Sequence, residues 1–274
     1  MRPSRLWSHA SFYLVATLVA LPFVLPLVWM ISSSLRTPGL PPPRGVEWVP
    51  QPLAWDNYTA IFSMIPLARY ILNSLLVSSL AVVITLLVAS WAGFGMAQFG
   101  PRARRRLLAI SVGLLMVPIT ALWLTRFVLF DALGWIDTYL ALLAPALMGS
   151  SPLFVLLFYW AFRRLEPETY EAARLEGAGP WIIWWRVGVP QVRPTIAAVA
   201  SLTFILYWND FINPLIYLKS QSMYTLAIGL QQLQQLDRTN WPFLLAAALV
   251  MTLPVVLLFL FTQRYYLQDY SSGS

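Results

Sequence analysis

Glu171-Ala172-Ala173-Arg174-Leu175-Glu176-Gly177-Ala178-Gly179-Pro180-Trp181-Ile182-Ile183-Trp184-Trp185-Arg186-Val187-Gly188-Val189-Pro190 is a charged, glycine- and proline-punctuated interruption in an otherwise mostly apolar chain. Just before it, Glu166-Pro167-Glu168 opens a helix: proline suits the first helical position, and acidic groups there favour the positive end of the dipole. That helix is expected to run to about Glu176, with Gly177 free to take the left-handed conformation that ends it. Gly179-Pro180 then restarts the chain in a new direction. A second short helix carries Trp181, Ile182, Trp184 and Trp185, and Pro190 and Pro194 set the entry into the next apolar run. Ala172, Ala173 and Ala178 keep this elbow slim enough to enter a groove on a partner. The tryptophans are expected to root it at a membrane interface. A mere connector needs only a handful of residues, so two helix starts and an enforced elbow exceed what tethering requires.

Outward from this stretch, composition decides the class. The 274 residues are 59% hydrophobic and 11% charged, where a soluble domain carries about a quarter charged residues. The chain therefore reads as an all-α polytopic membrane protein. Its net charge of +7 does not indicate nucleic acid, because the arginines fall in short clusters between apolar runs. Cysteine is absent, which excludes a disulfide framework and a thiolate metal site. The only histidine, His9, sits beside the first apolar run and reads as an interfacial residue.

Six apolar runs are long enough to cross a hydrocarbon core of about 30 Å at about 1.5 Å per residue. They cover roughly 11–31, 70–99, 107–130, 139–162, 193–217 and 241–262, with the charged loop at 163–192, in one transmembrane domain spanning 1–274. The first run is too long for a cleaved signal and is taken as a retained span, kinked by Pro22 and Pro26. Ser32 to Arg69, which includes Pro41-Pro42-Pro43, reads as an extended external loop ending in a short amphipathic piece from Asn57. In the second span Ala89, Gly93 and Ala97 lie four apart, the small-residue pattern that lets helix backbones approach. Gly100 to Arg106 is expected to be a tight basic turn, and Pro118 falls near the middle of the third span. Asp131 to Thr138 reads as a short turn, and 218–240 as a polar, partly helical segment.

With the amino terminus inside, twelve of the eighteen basic residues fall on inner segments: Arg2, Arg5, Arg102, Arg104, Arg105, Arg106, Arg163, Arg164, Arg174, Arg186, Arg193 and Arg264. Arg36, Arg44, Arg69, Arg126, Lys219 and Arg238 fall outside. This satisfies the positive-inside tendency and places both termini and the charged loop in the cytoplasm.

Polar residues inside the membrane are costly and default to functional hypotheses. Tyr207-Trp208-Asn209-Asp210, in the outer half of the fifth span, is the best candidate for a substrate path. Amide and carboxylate groups can hydrogen-bond hydroxyls, and tryptophan can stack on a sugar face. The same residues would equally serve helix packing, with Trp208 as an interfacial anchor. Arg126 has three possible fates: pairing with Asp131, pairing with Asp210, or snorkelling outward. Ser78, Ser79, Thr85 and Ser90 read as packing groups. No metal-ligand spacing, nucleophile–base pair or phosphate-binding glycine loop occurs, so neither a catalytic residue nor a metal site is expected. An ion-coupled secondary transporter would need buried carboxylates, and Asp210 is the one fair candidate.

The spacing Glu171-Ala172-Ala173, Gly177, Val187, Val189, Pro190 resembles the EAA loop of ABC importer permease subunits, with Glu176 where that family usually has aspartate. Asn57-Tyr58 to Phe62, Asn73-Ser74-Leu75, Trp208-Asn209-Asp210 with Pro214, and Gln263-Arg264-Tyr265 are similar to carbohydrate-uptake permeases of the maltose-permease G-subunit type. The tail departs from that group, reading Gln268-Asp269-Tyr270-Ser271 where small residues and lysine are usual. The resemblance implies a type I ABC importer permease fold in a bacterial inner membrane. Its coupling helix, carrying Glu171, Ala172, Ala173, Glu176, Gly177, Ala178 and Pro190, would dock on a cytoplasmic ATPase. It implies import of a mono-, di- or oligosaccharide, or alternatively of glycerol-3-phosphate or a polyol. The implied partners are a second, homologous permease subunit forming a heterodimer, two ABC ATPase subunits carrying ATP and magnesium, and an extracytoplasmic binding protein. No cofactor would be bound by this chain itself.

Overall fold

In the computed structural model, the backbone is described for residues 3–41, 45, 47–147, 151–236 and 240–271, and side chains between residues 12 and 263. His9, Arg2, Arg5, Arg44, Arg238, Arg264, Pro42, Pro43 and the Gln268-to-Ser271 side chains therefore lie outside what is described. The described residues form helices and connecting turns, with no strand among them.

The first half runs α1 (Pro3–Ser34), α2 (Asn57–Met64), α3 (Leu67–Gln98), α4 (Pro101–Leu115), α5 (Trp123–Ala132), α6 (Tyr139–Leu147) and α7 (Pro152–Arg163). There follow α8 (Pro167–Leu175), α9 (Pro180–Ile182), a π-helical turn (Ile183–Gly188), α10 (Val189–Gln191), α11 (Arg193–Trp208), α12 (Ile212–Tyr217), α13 (Leu226–Leu236) and α14 (Trp241–Ser271). Among the described residues, four candidate spans are long and apolar enough to cross a membrane: 12–34, 67–98, 139–163 and 241–263. The number rises to six if each of two sharply bent pairs is one span.

The bent pairs are where the structure departs from the expected spans. Residues expected to form a basic turn, Gly100 to Arg106, instead begin α4, with Pro101 in its first turn. Proline there forfeits no hydrogen bond, because the first amides of a helix have no intrahelical acceptor. The third span does not run straight from 107 to 130: the chain bends by 86° between 101–115 and 119–132. Pro118 is extended, at φ −67° and ψ 128°, and its ring both removes a donor and disfavours helix in the residue before it. The second bend, also 86°, separates 180–191 from 193–208.

The described residues divide into two compact units, Met1–Leu67 with Gly229–Pro254, and Ala68–Ile228 with Val255–Ser274. In the first, the segment after α1 folds back on the end of that helix. Asn57 Nδ2 donates to the carbonyls of Ser34 (2.7 Å) and Arg36 (2.8 Å), and Arg36 pairs with Glu47 at 2.7 Å. The Arg36 guanidinium lies 5.4 Å over Trp241, whose ring stacks on Trp29. This explains why Asn57 is buried although the segment is polar.

In the second unit, α3 packs tightly on α7. A Cβ added at Gly93 would fall 2.6 Å from Phe158 Cβ and 2.8 Å from the Tyr159 nitrogen, so only glycine permits this approach. Ala89 and Ala97, four residues to either side, are also buried. At the other end of α3, Asn73 Nδ2 donates to the carbonyls of Ser222 (3.0 Å) and Tyr224 (2.8 Å), and Ser74 Oγ accepts the Leu226 amide at 2.8 Å. Asp137, in a left-handed conformation at φ 61°, closes the same region. Its carboxylate accepts the amides of Lys219 (2.9 Å) and Ser220 (2.8 Å) and the Ser220 hydroxyl. The Ser220 hydroxyl first, and these amides after it, hold the Asp137 carboxyl below its ordinary value.

Candidate functional site

The elbow begins at Glu166, whose extended backbone turns into α8 with Pro167 in the first turn. It ends in a two-bond cap. The Ala178 amide donates to the Ala173 carbonyl and the Gly177 amide to the Arg174 carbonyl, both at 3.0 Å, with Gly177 at φ +83°. This arrangement satisfies carbonyls that a helix end would otherwise leave unpaired. Nothing lies within 4 Å of a Cβ built at Gly177, so the demand for glycine there is conformational and not steric. The chain then rises through α9, the π-turn and α10 before bending into α11.

One face of this elbow is anchored. Tyr170 is buried, donates its hydroxyl to the Phe162 carbonyl at 3.3 Å, and has its pKa pushed up to about 12 by burial. Its ring meets Phe94 of α3 at 6.0 Å, and Phe94 meets Phe162 at 5.5 Å. Arg174 donates to Gln98 Oε1, at the end of α3, at 2.6 Å. Trp184 is only 1% exposed and packs on Trp91 at 5.2 Å, so it is a core residue and not the interfacial anchor expected of it. Trp181 and Trp185 remain exposed. Ala173 and Ala178 also pack against this core.

The opposite face is open. Glu171, Ala172, Glu176, Gly177 and Pro190 are exposed. Between them stands Leu175, 90% exposed, which reading the sequence overlooked. The signal was its spacing: 171, 172, 175 and 176 share one helical face.

The second candidate region is a cavity of ≈ 290 Å³ lined by Thr85, Arg126, Ser151, Tyr207, Asp210 and Asn213 among apolar neighbours. Two of the four proposed path residues, Tyr207 and Asp210, thus meet at one space. Trp208 is 1% exposed and stacked on Phe204 at 5.4 Å, and Asn209 donates to the Ile205 carbonyl at 2.9 Å; neither lines the cavity. Asp210 accepts from the Asn213 amide (3.2 Å) and side chain (2.8 Å), a partner three residues on that the sequence reading missed. The short break between α11 and α12 places these groups, with Asp210 just before Phe211, the residue that leads into α12, and its carboxylate bonded to Asn213 inside that helix. Arg126 faces the cavity, and no ion pair within 4 Å involves it among the described residues. Thr85, read as a packing group, also reaches the cavity wall.

Comparison with known proteins bears on this arrangement directly. Residues 86–271, which include the elbow and the four helices α11 to α14 after it, match the model of the binding-protein-dependent transport system inner membrane component family. The chain belongs to that family. It is accordingly a multi-pass membrane permease subunit of an ABC importer, a kind of subunit that has no ATPase site of its own. Among relatives of this permease, the arabinooligosaccharides transport system permease protein AraQ of Halalkalibacterium halodurans is 32% identical over 253 residues, covering 91% of this chain and 90% of that one. The lactose transport system permease protein LacG of Rhizobium radiobacter is 29% identical, with 93% and 92% covered. The trehalose/maltose permease protein MalG of Thermococcus litoralis is 26% identical, with 94% of each covered. The permease fold also matches a chain from the crystal structure of a bacterial ABC transporter importing the acidic polysaccharide alginate. There the TM-score is 0.76 at 19% identity, covering 97% of this chain and 98% of that one.

Proposed function

We propose that this permease subunit admits a carbohydrate to the cytoplasm, driven by ATPase subunits that grip the elbow from Glu166 to Pro190. The observation that carries this reading is the two-faced elbow. Its inner face is bolted to α3 and α7 through Tyr170, Arg174 and Trp184, while its outer face offers Glu171, Ala172, Leu175, Glu176 and Gly177 to a partner. A force applied to such an outer face moves the attached helices as a body, because packed interiors transmit displacement with little compression. The sugar assignment is supported by the relatives named for arabinooligosaccharides, lactose and trehalose or maltose. The cavity at Tyr207, Asp210 and Asn213 is the proposed path, with hydroxyl-binding groups on its wall.

The working assembly is a heterodimer with a homologous permease, two ATPases holding ATP and magnesium, and an external binding protein. Both termini and the elbow lie in the cytoplasm. The basic first turns of α4 support this orientation, since Arg104 lines one recess with Glu171 and Arg174 of the elbow and so shares its side. Closure of the ATPases would drive paired elbows together and open the cavity outward.

The test is coexpression with the cognate ATPase. Leu175→Asp places a charge on the open face without touching the anchored one, and is expected to abolish ATPase recovery and uptake while the permease still reaches the membrane. Normal recovery of the ATPase with Leu175→Asp would overturn the docking reading. Uptake that survives ATP depletion with an ion gradient intact would overturn the energy source.

A further inference from the structure

Three arginines at the basic start of α4 line neither the cavity nor the recess beside the elbow. Arg102, Arg105 and Arg106 converge there on an open surface recess of ≈ 340 Å³, floored by Ala109. Their spacing places them on one helical face. Arg104 belongs elsewhere, lining a separate recess with Gln98, Arg163, Glu171 and Arg174. All three recess arginines are exposed, and none makes an ion pair within 4 Å among the described residues. The helix end beside them has no side-chain cap, so its dipole adds to their charge. A tendency toward basic cytoplasmic loops accounts for the number of arginines. It does not account for three of them sharing one recess without a carboxylate.

The same helical face continues into apolar surface. Beyond Ala109 come Val112, 52% exposed, and Met116, 82% exposed, before the bend at Pro118. Three cations at the top of a bare apolar strip match an anion that carries hydrocarbon chains. We propose that Arg102, Arg105 and Arg106 form a headgroup site for an anionic diacyl phospholipid, whose acyl chains lie along Ala109, Val112 and Met116. Guanidinium groups engage phosphate oxygens in paired hydrogen bonds, and basic clusters at a membrane surface attract anionic lipid. An acidic protein surface would satisfy the charge but has no use for the apolar strip directly below it. This distinguishes the lipid from a soluble acidic protein.

The test uses the assembled transporter in mild detergent, titrated with dioleoyl phosphatidylglycerol and, separately, dioleoyl phosphatidylcholine, with lipid retention read by native mass spectrometry. Two double variants remove the same net charge: Arg105→Gln with Arg106→Gln, and Arg104→Gln with Arg163→Gln. The first pair is expected to weaken phosphatidylglycerol retention on the order of thirty-fold, and the second to leave it near wild type. Arg105→Lys with Arg106→Lys keeps the charge and is expected to retain the lipid within a few-fold, which separates loss of the site from loss of assembly. Equal loss in both Gln variants, or no preference for phosphatidylglycerol over phosphatidylcholine, would overturn the site. Equally tight binding of free glycerophosphoglycerol would make it a site for soluble anions, and loss of ATPase recovery with lipid retention intact would make it a protein contact; either result overturns the proposal.

Discussion

At Gly177, Gly93 and Asp137 the chain depends on what one residue alone permits. Gly177→Val puts a β-branched side chain at φ +83°, a conformation that costs an L-residue about 1–2 kcal/mol. Because open space surrounds that position, the variant is expected to fold and insert while the cap of α8 loosens. ATPase recovery should fall sharply, with Gly177→Ala intermediate, as measured by affinity copurification. Gly93 has the opposite cause: Gly93→Ala drives a Cβ into Phe158 and the Tyr159 backbone, and is expected to destabilise the purified complex by about 1–3 kcal/mol. Gly95→Ala, with nothing within 4 Å, should be neutral or stabilising by up to about 1 kcal/mol, since glycine is a poor helix former. Thermal unfolding of the pair in the same detergent checks this. Asp137 makes a pH prediction. Its folded value is depressed, so its contribution is complete above the ordinary carboxylate range and disappears as pH falls through the lowered value. Asp137→Asn should speed hydrogen exchange at Lys219 and Ser220 near neutrality and flatten the acid dependence of this segment.

The elements that matter most are those the chain interrupts. The elbow is legible in sequence because its punctuation is local: Pro167 starts α8, Gly177 ends it and Gly179-Pro180 restarts the chain. Its attachment is not legible, because Trp91, Phe94 and Gln98 lie at least 76 residues earlier in the chain than the elbow residues they meet. Arg174→Ala removes the 2.6 Å bond to Gln98 while leaving the outer face intact. It is therefore expected to preserve ATPase recovery and lower uptake per ATP hydrolysed, read in proteoliposomes. Loss of both together would place Arg174 on the docking face instead. The third span shows the limit of hydropathy: its residues are apolar enough to cross, yet Pro118 turns the chain by 86°.

For the whole molecule, the two regions of interest have different chemical characters. The elbow leaves charge and one leucine exposed, whereas the cavity is lined by Asp210 and Arg126 together with Thr85, Ser151, Tyr207 and Asn213 among apolar side chains. Asp210→Ala strips Asn213 of its partner at 2.8 Å and opens the cavity wall. It is expected to lower sugar uptake with ATPase recovery unchanged, a separation that uptake and copurification assays on one preparation would resolve.

Composition and apolar periodicity by themselves determined a helical membrane protein, and the punctuation from Glu171 to Pro190 determined an elbow that carries the resemblance to its family, because helix starts, stops and small-residue faces are local properties. Tertiary structure decided which side of the elbow faces outward, that Trp184 and Trp208 are buried while Leu175 is not, and that Asp210 and Arg126 share a cavity. It also decided that three of the four arginines starting α4 converge on one recess and the fourth does not. These outcomes depend on how helices distant in sequence pack and bend against one another, and no window of residues contains that information.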